Sequence, residues 1–600
     1  MKINKNKDLR LSLLIFLCSF STASILFLIL KYSSYGIDFT DEGYYLNSIS
    51  NPYLYKLSIS QFGFIYHPIY NLLDENIVLL RRINFLFTFG LSTILVYLLF
   101  NQLNIKEKLD KIYQILLSFG IATTSFTYLF IQTPSYNHLT LQGLLFTCIG
   151  ILLIDKINLN KNILAYIIIG FGGWLTFMAK PTSFIGLSLL ILIYFIISKN
   201  FKLRFILISI ITGLLLILIS AFLIDGSIAK FFYRYLFTYE AKKLLQTGYD
   251  INSFIRIDEL NLTSKIKKSI VVIGLLSLLL LYLEYHNSKL TRLISIIFSS
   301  LIIIFIFIIS VFEIDWNPAY GYHQPYLILS SVIVSVFIYL LSLFKNNIKF
   351  EDINWSFIFL FILIPYIFAL GTSNNYSVQS GIASIFLLLV SFVFLVPISL
   401  KIKKIEIIVI FVIISQVYSS LHIKEKIEDP YRYNEPLRLS NTKISTNYKN
   451  NNIILSDEFA KYVKDARNVA AQSGFKRGDP IIDLSGRSPG LLYLMGAKSI
   501  GAAWNSGSYK SSSDIAKVRF DLVNCSDLAS AWVIHEINVP TSFSTDFLKN
   551  FGINFQSQYV LAGSFEVPRG AGGYMKNSIQ KLYKPIDREN VIRSCNLLRK

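Results

Sequence analysis

Long apolar runs alternate with short polar segments from residue 11 to about residue 421, and beyond that point the pattern stops. The runs lie at 11–30, 77–100, 112–131, 138–154, 163–178, 182–198, 205–224, 269–285, 293–312, 326–344, 355–370, 377–400 and 405–421. Each is close to the ~20 residues a helix needs to cross a hydrocarbon core of about 30 Å, which predicts about thirteen spans. Lys180-Pro181 interrupts the stretch from 163 to 197. An ionisable side chain and a helix-breaking ring do not sit together inside one lipid-facing helix, so two short helices meeting at a break are expected there. A polar linker at 422–451, with Asp429-Pro430 and Glu435-Pro436, leads into residues 452–600. In that tail, strand-like runs (Pro480–Leu484, Ala531–His535, Tyr559–Val567) alternate with helix-like ones (Asp457–Ala471, Pro489–Met495). The expected fold is a polytopic α-helical membrane protein with a C-terminal soluble α/β domain.

Composition agrees with that class. Of 600 residues 53% are hydrophobic and 16% charged, against roughly 25% charged in soluble domains. The net charge of +20 would suit a nucleic acid, but the cations sit in short tracts between apolar runs, where bilayer orientation accounts for them and nucleic acid is not expected. Residues 1–10 carry Lys2, Lys5, Lys7 and Arg10 ahead of the first run. That run exceeds the ~7–15 residues of a signal-peptide core, and Leu17 before Cys18 is not the small residue of a lipoprotein cleavage site. An uncleaved first helix starting in the cytoplasm is expected, in the plasma (inner) membrane. Tracts such as Lys106, Lys108 and Lys111, Lys289 and Arg292, and Lys401, Lys403 and Lys404 then mark inner loops. An odd number of spans puts the C-terminal domain outside. One predicted outer loop breaks the rule: 225–268 holds eight basic residues. Cys18 and Cys148 fall in apolar runs, while Cys525 and Cys595 can pair if the C-terminal domain faces an oxidising compartment.

The first outer loop, 31–76, holds Tyr35-Gly36-Ile37-Asp38-Phe39-Thr40-Asp41-Glu42-Gly43-Tyr44-Tyr45. Asp38, Asp41 and Glu42 stand at i, i+3 and i+4, one side of a helical turn. Clustered carboxylates repel, which raises at least one pKa and favours a proton acceptor or a cation site. The same pattern also reads as a helix start, with Thr40 as cap and Asp41 and Glu42 in the favourable first turn.

An acidic pair in the first outer loop followed by Gly-Tyr-Tyr resembles the signature of the GT-C superfamily of integral membrane glycosyltransferases, near the protein mannosyltransferase and aminoarabinose transferase group. His67-Pro68-Ile69-Tyr70 is similar to the segment that follows that motif in the family, with Ile69 where a second proline is common. Arg81-Arg82 at the second span, the lysine-bearing break at Lys180 and Gly371–Asn375 at another outer helix end fit the same resemblance. The short basic loop from residue 225 departs from it. The resemblance covers about the first 400 residues and implies an inverting transfer of sugar from a polyprenyl-phosphate donor to a hydroxyl or amine of a glycan, lipid or protein acceptor. On that reading Asp41 is the general base and Asp38 the second choice, while Glu42 orients the acceptor or helps hold a cation. The departing lipid phosphate needs cations near the bilayer surface, for which Arg81, Arg82, Lys180, Arg234 and Lys242 are candidates. His67 and His323 are candidates for positioning substrate.

Each candidate has a plainer use. Arg81 and Arg82 can snorkel, the aromatic-rich segment around Arg234, Lys242 and Lys243 can rest on lipid headgroups, and Trp316 to Pro325 around His323 has the composition of an interfacial aromatic belt. Asn374 and Asn375 are expected to cap the next helix. The acidic cluster permits a divalent cation such as Mg or Mn without requiring one, because lysine and arginine can neutralise a phosphate monoester. The tail stretch from Gly478 to Gly490 lacks GxGxxG spacing and a Walker lysine, so nucleotide binding is not expected. Two other classes remain open: a transporter or flippase of lipid-linked glycans, and a glycan polymerase or ligase.

Overall fold

The computed structural model describes residues 5–128, 131–155, 158–244, 256–286, 288–318, 321–345, 348–446, 451–508, 511–537, 539–574 and 576–599. In chain order the helices are α1 Lys5–Tyr32, α2 Asp41–Ser50, α3 Phe62–Leu72, α4 Ile77–Gln102, α5 Lys111–Ala122, α6 Tyr136–Leu153, α7 Leu159–Ala179, α8 Pro181–Ile197, α9 Leu203–Asp225 and α10 Ile228–Lys243. They continue as α11 Ser264–His286, α12 Lys289–Val311, α13 Leu329–Phe344, α14 Trp355–Ala369, α15 Tyr376–Ser380, α16 Ile385–Lys401 and α17 Glu406–Glu428. The last of these is the end of the helical bundle.

All thirteen apolar runs become helical, with differences in kind. Among the described residues nine helices are long and apolar enough to cross a membrane, and the pair α15 and α16, bent by 60°, makes a tenth if it is one span. Residues 182–198 and 355–370 form the shorter apolar helices α8 and α14. Residues 112–131 give the 12-residue α5 and then a 3-10 stretch, Thr123–Tyr128. The chain breaks at Lys180 as expected: α7 ends at Ala179 and Pro181 opens α8, where its missing N–H costs nothing.

Apolar surface does not drive helix pairing in lipid, so close backbone approach and buried hydrogen bonds must do it. A Cβ on Gly143 of α6 would lie 2.8 Å from the carbonyl oxygen of Gly172 on α7, and one on Gly172 would lie 2.6 Å from that of Gly143. At the centre runs α17, buried almost throughout and packed against α1, α5, α12 and α16. Gln416 of α17 donates to Cys18 O at 3.0 Å and Thr22 Oγ1 at 2.8 Å on α1, and Tyr418 OH meets Ser331 Oγ on α13 at 2.8 Å.

The C-terminal region adds α18 Asp457–Gln472, α19 Pro489–Met495, α20 Ser512–Asp521, α21 Cys525–Ser530, α22 Phe555–Gln558 and α23 Arg588–Leu598. Its strands are β1 Thr442–Ser445, β2 Asn452–Leu455, β3 Pro480–Asp483, β4 Lys498–Ser499, β5 Trp532–Glu536, β6 Tyr559–Val567 and β7 Ser578–Pro585. Five of them form a sheet in the order β4-β3-β5-β7-β6, parallel across β4, β3 and β5 and antiparallel across β5, β7 and β6. Cys525 on α21 and Cys595 on α23 are joined by a disulfide that closes the far side of this domain.

The loop between α1 and α4 is built into the C-terminal domain. Gly36 N donates to Ile454 O at 2.9 Å and Ile454 N to Ser34 O at 2.8 Å, so the loop extends the β1-β2 pair. Phe39 packs edge-on against Phe459 and Tyr462 of α18, with both ring centroids 5.3 Å away. Further on, Asn47 of α2 donates to Pro489 O and Ala503 O, and Tyr70 OH lies 2.9 Å from Tyr493 OH.

Candidate functional site

The three carboxylates divide into different jobs. Asp38 lies just before α2 and is buried, 4% exposed. Its Oδ1 accepts from Thr40 N at 3.2 Å and Thr40 Oγ1 at 2.9 Å, and its Oδ2 from Glu42 N at 3.2 Å. Asp38 therefore does the capping expected of Thr40, whose own side chain makes no cap bond to α2. The reason is reach: with the chain bent before the helix, Asp38 rather than Thr40 faces the open N–H groups of the first turn.

Glu42 is also buried, 3% exposed. Its Oε1 takes Arg81 Nη2 at 2.9 Å and Thr133 N at 2.9 Å, and its Oε2 takes Asp38 N at 3.1 Å. Arg81 is wholly buried on α4 and also donates to Ser33 O and Gly36 O, both at 3.0 Å. Together they lock residues 33–42 onto α4. Arg82 does the same from the next position, with Nε 2.8 Å from Ser33 Oγ. These residues position the loop, and their hydrogen-bonding capacity goes to protein groups.

Asp41 is the carboxylate with open surface, its side chain 27% exposed. Oδ2 accepts from Arg432 Nη1 at 3.0 Å and Tyr431 OH at 3.2 Å, and Arg432 also donates to Thr40 Oγ1. Both partners come from the segment between α17 and β1, about 390 residues downstream, and spacing within the loop carries no trace of them. The only sequence signal is local: Tyr431-Arg432-Tyr433 after Pro430 is an aromatic and cationic cluster in an otherwise polar linker.

Burial raises the pKa of both aspartates. Asp38 is pushed up to about 7, first by burial and then by the charge of Asp41, with Arg432 and the Thr40 hydrogen bonds working the other way. Asp41 is also raised by burial, against the pull of Arg432 and Tyr431. The two carboxyls are coupled and both are raised above the ordinary carboxylate range, which suits a proton-accepting site.

The remaining candidates are distributed around this loop. Lys180, at the break between α7 and α8, is buried, donates to Phe368 O at 3.2 Å, and has its Nζ 5.3 Å from the Tyr136 ring and 4.4 Å from the Phe368 ring. Tyr136 in turn meets Tyr45 of α2 at 5.8 Å, so Lys180 connects to the acidic helix through two rings. Arg234 is buried on α10, pairs with Asp225 and donates to Tyr55 O at 2.8 Å. It clamps α10 to the segment between α2 and α3. His67 Nδ1 lies 2.7 Å from Ile49 O and Nε2 3.1 Å from Asn71 Nδ2, which fastens α3 to the end of α2. Asn375 caps α15 through Val378 N. The side chains of Lys242 and His323 lie outside the described residues. Among the described residues no three His, Cys, Asp or Glu side chains come together to hold a metal ion.

Next to Asp41 a cavity of about 470 Å³ opens between the loop and the C-terminal domain. Thr40 and Arg432 line one side, and Arg487, Trp504, Arg519 and Tyr574 line the others. Reading the sequence found none of the last four.

No family model and no curated protein matches the chain. Among solved structures it is similar to an archaeal oligosaccharyltransferase, AglB from Archaeoglobus fulgidus, in complex with an inhibitory peptide and a dolichol-phosphate. The identity is 11%, the TM-score 0.40, and the match covers 99% of this chain and 78% of that one.

Proposed function

We propose that this integral membrane protein is a glycosyltransferase of the GT-C kind. It moves a sugar from a polyprenyl-phosphate donor to a hydroxyl or amine acceptor on the outer face of the plasma membrane. The observation that carries this reading is the division of labour in the acidic motif: two carboxylates are consumed in holding the loop, and the third, Asp41, is left 27% exposed beside a cavity. In the reaction Asp41 takes the proton of the acceptor O–H or N–H while that atom attacks the anomeric carbon. The bond from that carbon to the phosphate oxygen breaks on the opposite face, and the electron pair leaves with the lipid phosphate. Lys180, buried at the helix break and linked to α2 through the Tyr136 and Tyr45 rings, is the cation assigned to meet that charge.

The test is Asp41→Asn in purified membranes, with a panel of radiolabelled lipid-phosphate sugars, with and without chelator. Loss of a general base costs about 10²–10⁴-fold in rate, and a fall of that size with membrane insertion unchanged is expected. Full activity in the variant overturns the assignment of the base.

A further inference from the structure

The cavity beside Asp41 has a charge arrangement the transferase reading does not require. Three arginines line it, and among the described residues no acidic side chain does. The carboxylates that balance two of them stand outside the lining: Asp41 holds Arg432 at 3.0 Å, and the buried Glu536 holds Arg487 through Nε at 2.8 Å. Arg432 keeps 30% of its side chain exposed, whereas Arg487 is buried and its guanidinium is held by Glu536, Ser578 Oγ and Ala571 O. Arg519, on α20, completes the set and donates to Asn505 Oδ1 at 3.4 Å.

Trp504, Phe543 and Tyr574 bring aromatic rings to the lining. Trp504 is pinned by Nε1 donating to Gly486 O at 2.8 Å, and Tyr574 lies 4.3 Å from the Arg487 guanidinium. Fixed rings of this sort suit the apolar faces of a pyranose, while planar guanidinium groups suit carboxylate or phosphate oxygens. All of the lining except Thr40 belongs to the region beyond α17, outside the apolar helices.

We propose that this cavity is the acceptor site and that it selects an anionic sugar, a glycan unit carrying a carboxylate or a phosphate; the inference rests on the transferase reading only in calling the bound sugar an acceptor. Occupancy also touches the base, because Arg432 serves both the cavity and Asp41. An anion that draws on Arg432 weakens its hold on Asp41 and leaves that carboxylate a stronger proton acceptor.

Calorimetry on the full-length protein in detergent, with no donor present, tests the selection using cellobiouronic acid, glucose 6-phosphate and neutral cellobiose. At least one acidic probe should bind about tenfold or more tightly than cellobiose, with a preference that shrinks as salt rises; the tighter acidic probe tells carboxylate from phosphate. Arg519→Gln should abolish the preference, Arg519→Lys should keep part of it, and Trp504→Ala should weaken all three probes. The lysine variant shows that charge rather than a folding defect is being read. Equal binding of cellobiose and both acids, or an unchanged preference in Arg519→Gln, overturns the inference. An intact acidic preference in a protein that transfers no sugar strikes the transferase reading alone.

Discussion

Asp38 and Asp41 share one guanidinium, and that fixes how the pair must respond to pH. Arg432 lowers the pKa of both, against the burial that raises them. Its removal leaves each carboxyl holding its proton to higher pH. In Arg432→Gln the acidic limb of the rate profile should therefore move upward by about one unit, since an arginine beside an aspartate lowers its pKa by roughly 1–3 units. Activity near pH 7 should fall and partly return above it; a limb that stays in place shows that the aspartate pair does not set it. The acidic motif itself was legible in the sequence because three carboxylates in eleven residues next to an apolar span are costly unless used. Their separate roles were not. The i, i+3, i+4 spacing assumes one continuous helix, whereas α2 begins only at Asp41 and leaves Asp38 outside as its cap. Arg432 escaped notice for a different reason: pairing across about 390 residues is set by tertiary packing and has no local period.

At the scale of elements, the site depends on how closely α2 can approach α19. A Cβ on Gly43 would stand 2.1 Å from Gly490 N, and one on Gly490 would stand 2.8 Å from Phe39 Cα. Neither position has room for a methyl group, and the contact is sealed by Gly490 N donating to Phe39 O at 2.8 Å. Gly490→Ala should push the C-terminal domain off the loop, at a cost of about 1–3 kcal/mol by the usual penalty for overpacking. A lower melting temperature and faster protease cleavage between α17 and β1 are the expected readings; unchanged cleavage means that the contact does not hold the two parts together. The sequence did yield the helices and strands on both sides of this contact, because apolar period and turn residues are local. It marked the stretch around Gly43 and the stretch ending at Gly490 separately, and nothing in either one says that they meet.

For the whole molecule, contacts sort the polar ends of the bundle into two groups without any count of spans. Arg10 pairs with Glu284, Lys404 donates to Glu284 O at 2.9 Å, and Lys401 pairs with Asp352, which gathers the start of α1, the end of α11 and the α16–α17 turn at one end. At the other end Lys31 pairs with Glu313 and Arg438 with Asp315, and residues 34–76 join the C-terminal domain. The first group carries the tracts that the positive-inside rule assigns to the cytoplasm. The basic segment from 225 falls in the second group, and two of its cations are held by protein groups: Arg234 by Asp225 and Tyr55 O, and Arg256 by Asp258 and Asn374 O. Cations bound to protein in this way no longer report on orientation. Placing the second group outside also suits the Cys525–Cys595 disulfide, which persists in oxidising compartments. A cysteine introduced by Lys549→Cys, at a side chain 70% exposed in the C-terminal domain, should therefore be labelled by an impermeant maleimide on intact cells, while Cys18 and Cys148, buried within spans, stay unlabelled. Labelling that needs lysis first would put Asp41 and its cavity on the cytoplasmic side, and a donor presented at the outer face could then never reach them.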